Sequence, residues 1–120
     1  MGEVLNREEL MARVDNDLEL LGELIELYRE DAPELLEQVR KAIEEHHGPN
    51  LKHYAHTLKG AVGNFCAQRA YELAYKLEKA GAENDFSTAA QDYQALVEEL
   101  QRVEQALDGL ASECAAGSSV

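Results

Sequence analysis

Between Leu18 and Ala42 the apolar residues Leu18, Leu21, Ile25, Tyr28, Ala32, Leu35, Val39 and Ala42 recur at intervals of three and four. That spacing lines one side of an α-helix, whereas a strand would need strict alternation. The stripe predicts a helix from Asp17 to about Glu45. Pro33 lies inside it and cannot donate to the carbonyl four residues back, so a kink or brief break is expected around Glu30 to Pro33. A helix this long with one apolar face must bury that face against other elements.

The rest of the chain supplies them. Asn6 with Glu9 resembles a capping box that opens a short helix from Arg7 to about Arg13, with Leu10, Met11 and Val14 as its apolar face. "HHGPN" reads as a stop at Gly48 and Pro49 with Asn50 as the next cap, so a second bundle helix is predicted from Leu51 to about Cys66. A third runs from Gln68 to about Ala80, with Ala70, Leu73, Ala74 and Leu77 inward. Asn84 and Asp85 are cap candidates for a last helix, in which Phe86, Ala89, Tyr93, Leu96, Val97, Leu100, Val103, Leu107 and Leu110 keep the spacing. "ECAAGSSV" reads as a frayed tail. The expected fold is all-α: an antiparallel up-down-up-down four-helix bundle with an extra short N-terminal helix, as one domain over 1–112 and a flexible tail over 113–120.

Charge narrows the partners. With 24 acidic against 11 basic side chains the net charge is -13, which repels nucleic acid and anionic membrane surfaces. Cys66 and Cys114 lie far apart with no C-x-x-C spacing, so neither a disulfide framework nor a structural zinc site is indicated, and free thiols are expected. "MGEVLNREEL" carries charge where a signal peptide needs an apolar core, and no run of about 18 apolar residues occurs. The expected location is the cytoplasm, either as a free protein or as the cytoplasmic module of a membrane-bound sensor kinase.

Within "AHTLKGAVGNF", Ala55 to Phe65, a helix contains a histidine, a lysine three positions on, and glycines at four and seven. At about 100° per residue, Leu51, Tyr54, Ala55, Ala61, Val62 and Phe65 fall near Leu58 and form the core face. His56, Gly60 and Gly63 fall opposite, with Lys52 and Lys59 beside them. Each glycine costs about 1 kcal/mol of helix propensity on a face that packing does not require to be small. Close approach by a partner explains that cost. His46, His47 and His53 read as solvated side chains. A neutral imidazole with a free lone pair is a nucleophile without a base, and a nearby ammonium suits a phosphoryl group in transit. No Gly-rich nucleotide loop, G-x-x-x-x-G-K-[ST] or clear magnesium site accompanies it.

"HTLKG", His56 to Gly60, resembles the signature of histidine-containing phosphotransfer domains, the HPt modules of multistep phosphorelays. Arg13 to Val39 is similar to the family's lead-in helix and "ELAYKLEKAG", Glu72 to Gly81, to its third bundle helix. The resemblance implies that His56 is the phosphoacceptor, Lys59 the phosphate-stabilising cation and Gly60 the gap where a receiver domain docks, with Gly63 and Lys52 extending that surface. It implies a monomeric phosphocarrier without kinase activity of its own, served by response-regulator receivers and an upstream sensor histidine kinase. No cofactor is expected in this chain, and magnesium is expected on the receiver. The family often has glycine where Cys66 stands and leucine where Ala70 stands, so local packing should differ there. Leu20, Leu24 and Leu27 form a second stripe that either receives the short first helix or stays exposed for a receiver.

Three rivals remain at this stage. One is a non-catalytic adaptor bundle in which His56 tolerates substitution. Another is a metal site using His53 and His56 with His46 or His47, which lacks a carboxylate or cysteine to complete it. The last, a kinase dimerisation domain, needs a nucleotide-binding domain that 120 residues do not contain.

Overall fold

The structure, a computed structural model, describes residues 4–118 and the side chains of 4–114. Five helices follow in order: α1 (Arg7–Arg13), α2 (Leu18–Glu44), α3 (Gly48–Gly63), α4 (Gln68–Glu83) and α5 (Ala89–Ser118). The last four form the bundle, each packing on its two neighbours in the ring α2, α3, α4, α5. Among the described residues no helix is long and apolar enough to cross a membrane.

The α2 stripe does what its spacing requires: Leu21, Ile25, Tyr28, Ala32, Val39 and Ala42 are buried. The expected break at Pro33 does not occur, and α2 is one unbroken helix of 27 residues. One missing N–H is tolerated because apolar contacts on both sides of it hold the helix to the core, and Arg29, a turn earlier, is tied to Glu104 (2.7 Å) and Asp108 (2.5 Å) of α5. Facing residues complete the core: Leu51, Ala55, Leu58 and Val62 of α3, Ala70, Ala74 and Leu77 of α4, and Leu96, Val103 and Leu107 of α5. Phe65 meets Tyr28 edge to face at 5.4 Å. Two acids are buried at the α4–α5 seam but paired, Asp92 with Lys76 (3.1 Å) and Glu99 with Arg69 and Arg102 (3.5 and 3.6 Å).

Helix ends account for most differences from the sequence reading. Asn6 and Asp17 cap α1 and α2 as expected, accepting from Glu9 N and Leu20 N. The cap of α3 is His47 rather than Asn50: its Nδ1 accepts from Asn50 N at 3.1 Å, which puts Gly48 and Pro49 inside the first turn instead of ending a helix. Proline needs no N–H partner there. Helices α1 to α4 all end the same way, with a residue in the left-handed region (Asp15, His46, Cys66, Asn84) whose neighbour's N–H reaches back five residues, as from His47 N to Ala42 O at 2.9 Å. None of these four is glycine. Asn84 therefore ends α4, Asp85 accepts from Ser87 N at 3.0 Å, and α5 begins at Ala89, three residues after the expected Phe86.

At the other end, α5 continues past Leu110 to Ser118, where a frayed tail was expected. No helix breaker follows Leu110, and Glu113 reaches Arg7 of α1 at 2.5 Å while Cys114 packs beside Gly22 of α2. Residues 119 and 120 of that tail lie outside the described residues. Helix α1 is strapped across the end of α3 by Asn6 N to Cys66 O (3.1 Å) and Arg13 to Gly63 O (3.1 Å). It leaves the second α2 stripe uncovered: Leu20 and Leu27 remain 39% and 54% exposed, and Leu24 is half-buried.

Candidate functional site

Helices α3 and α4 run back from the Cys66–Ala67 turn as an antiparallel pair, and their seam has four rungs. Gly63 lies under the ring of Tyr71, Lys59 over Tyr75, His56 against Glu78, and Lys52 and Gly48 against Gly81. The last rung sets the spacing, since a methyl group on Gly81 would collide with Lys52 N and stand 2.7 Å from Gly48 O. Only a bare α-carbon lets the two backbones approach this closely.

The middle rungs carry the chemistry. The His56 side chain is 65% exposed, and its Nδ1 lies 3.3 Å from Glu78 Oε2. The other oxygen of that carboxylate, Oε1, lies 2.9 Å from Lys59 Nζ. Nζ approaches Oε1 off the favoured hydrogen-bonding direction, so Oε1 has charge compensation without a well-aligned donor. One carboxylate thus bridges the imidazole and the ammonium. Burial pushes the Glu78 carboxyl up, but its close contacts with Lys59 and His56 outweigh it and leave the group below the ordinary carboxylate value; the contact with Glu78 raises Lys59. Both groups are therefore charged at neutral pH. In a neutral ring, an ionised carboxylate at Nδ1 favours the proton on that nitrogen and puts the lone pair on Nε2, which has no protein partner among the described residues.

Lys59 is not the free surface cation that the helical wheel suggested. Its side chain is only 16% exposed, enclosed by Glu78 and by the rings of Tyr75 and Tyr71, 4.9 and 5.6 Å from Nζ. Gly60 is open, with nothing within 4 Å of where a side chain would begin. Gly63 differs: an added methyl would meet the Tyr71 ring at 3.3 Å, so there the small residue makes room for packing. Lys52 is exposed and lines a shallow hollow with Pro49, His53, His56 and Glu78. The remaining histidines have separate places: His47 caps α3, His46 lies 4.9 Å from the Phe86 ring and His53 4.9 Å from Tyr54. Among the described residues no three His, Cys, Asp or Glu side chains form a metal-binding group. Burial raises the Cys66 thiol, which disfavours a reactive thiolate.

Glu78, Tyr71 and Tyr75 were missed in the sequence because their place depends on the register of two helices. Folding the chain back at Cys66–Ala67 would have found them, since His56 and Glu78 stand nearly equidistant from that turn, as do Lys59 and Tyr75.

No curated protein and no solved structure matches the chain. The sequence model of one family, described as the Hpt domain, matches residues 23–112, a span that holds α3, α4, most of α2 and most of α5. An all-α bundle, an exposed histidine in "HTLKG" and that match agree: the chain belongs to the Hpt domain family, the phosphotransfer intermediates that work with receiver domains and kinases in phosphorelays.

Proposed function

We propose that His56 accepts a phosphoryl group on Nε2 from a receiver-domain aspartate and passes it to another receiver, with no ATP site in this chain. The observation that carries this reading is the contact between Glu78 and Nδ1 of an exposed imidazole, which directs the opposite nitrogen to solvent as a lone pair. In the forward step Nε2 forms a bond to phosphorus while the P–O bond to the aspartate breaks, and the aspartate leaves as a carboxylate. Nδ1 keeps its proton, and the Glu78 carboxylate faces the positive charge that develops on the ring. No general base is needed. Lys59 supplies the cation for the phosphoryl oxygens, and the reverse step follows the same path.

Docking would use both flanks of α3. Gly60 leaves the surface beside the imidazole low, and on the α2 side Leu24 and Leu27 offer an apolar wing next to Thr57, Ala61 and Asn64, with the exposed Leu20 a further part of the same α2 stripe. The receiver would contribute its acidic pocket and magnesium.

The test is to incubate the protein with phosphorylated receivers and follow label. Acid-labile, alkali-stable phosphate should appear on the wild type and be absent from His56→Gln. Equal labelling of the variant, or none of the wild type from several charged receivers, would defeat the assignment.

A further inference from the structure

We propose that Tyr71 and Tyr75 are positioning residues for Lys59, their ring faces holding its ammonium beside His56 in the orientation from which it meets the transferred phosphoryl group. This rests on His56 being the phosphoacceptor. A lysine on a polar helix face ordinarily has four free torsions, and ordering it against a phosphoryl group costs rotamer entropy at the moment of reaction. Lys59 is already ordered: its side chain is 16% exposed, with Nζ 4.9 Å from the Tyr75 ring centre and 5.6 Å from that of Tyr71.

The rings do this in a way that a second carboxylate could not. An aromatic face attracts the cation through its quadrupole without taking a directional hydrogen bond or cancelling the charge. Glu78 meets the ammonium off the favoured hydrogen-bonding direction, so N–H donors stay available for phosphoryl oxygens. The same arrangement accounts for two features otherwise without a reason. Tyr71 and Tyr75 are large rings left 37% and 46% exposed beside the α3–α4 seam, and the Tyr71 ring lies over Gly63, 3.3 Å from where a methyl would stand. Glycine, ring and ammonium pack as one unit.

Phosphoramidate is the probe, because it is too small to need a docking surface. With it, the Nε2–P bond forms as the P–N bond breaks and ammonia departs. Replacing each tyrosine by leucine should slow His56 phosphorylation about two- to fivefold per ring, the order expected for exposed cation–π contacts. Tyr71→Phe with Tyr75→Phe should restore the rate, since phenylalanine keeps the face and loses only the hydroxyl. In a Lys59→Met background the leucine changes should cause no further loss. Full rates in the leucine variants, an undiminished leucine effect without Lys59, or failure of phenylalanine to rescue would each overturn the proposal. A separate reading needs no phosphorylation: the ε-methylene protons of Lys59 should show an upfield ring-current shift that the leucine variants lose and the phenylalanine variants keep. Absence of that shift in the wild type sinks the cradle, whereas a normal shift with no labelling of His56 by phosphoramidate or by any receiver sinks the phosphoacceptor reading.

Discussion

At Gly81 an added methyl would stand 2.7 Å from the carbonyl oxygen of Gly48 and collide with Lys52 N, while at Gly60 it would meet nothing within 4 Å. Both glycines sit inside helices with ordinary helical backbone, and both weaken them. The first cost is recovered inside the molecule, where two backbones touch and fix the α3–α4 register. The second is not recovered anywhere in this chain. Under the proposed function that opening, beside the exposed His56, is the room a docking receiver would use.

Substitutions can break that comparison. Gly81→Ala should have the largest effect, a loss of about 3 kcal/mol on denaturant unfolding, because the obstacle is backbone on a facing helix and cannot rotate away. A loss below about 1 kcal/mol would mean that the seam has slack. Gly60→Ala should go the other way, adding about 1 kcal/mol through helix propensity. It should slow labelling by a phosphorylated receiver more than labelling by phosphoramidate, and equal slowing would mean that Gly60 serves the chemistry rather than docking. Cys66→Gly should add about 0.5 kcal/mol by relieving a left-handed φ of 56° at the end of α3. Gly63→Ala tests the intermediate case: the half-exposed Tyr71 ring can yield a few tenths of an ångström, so stability should change by less than about 0.5 kcal/mol.

The smallest effect is a pH dependence. Glu78 is held below its ordinary value of 4.5 and Lys59 above its ordinary 10.5. Their pairing therefore contributes fully between those values, fades as the pH falls through the depressed value of Glu78, and fades again as the pH climbs through the raised value of Lys59. The difference in Tm between wild type and Glu78→Gln should be flat from about pH 8 to about 10, shrink above that window, and shrink again in acid as the Glu78 carboxylate takes up its proton.

The fold was legible because burial is written as spacing. The stripe from Leu18 to Ala42, the core face around Leu58 and the run to Leu110 each have one helical reading, and all three gave their helices. Helix ends were harder. His47 is an unusual cap whose ring nitrogen substitutes for the usual oxygen, and Gly48–Pro49 looks like a terminator until that cap places it in the first turn. The position of His56 and the opening at Gly60 followed from one helix alone. The environment of Lys59 did not, because a wheel shows which way a side chain leaves its own helix and nothing of what stands on the next one.

The contact at Gly81 also bears on time. With backbone against backbone at one rung, α3 cannot slide or roll along α4 without separating from it, so the microsecond-to-millisecond helix shifts open to looser pairs are closed to this one. Arrival of a phosphoryl group then asks only for side-chain rotations, which take picoseconds to nanoseconds. Under the proposed function, the pace of relay through such a bundle would be set by how often partners meet and part, not by how fast the bundle changes shape.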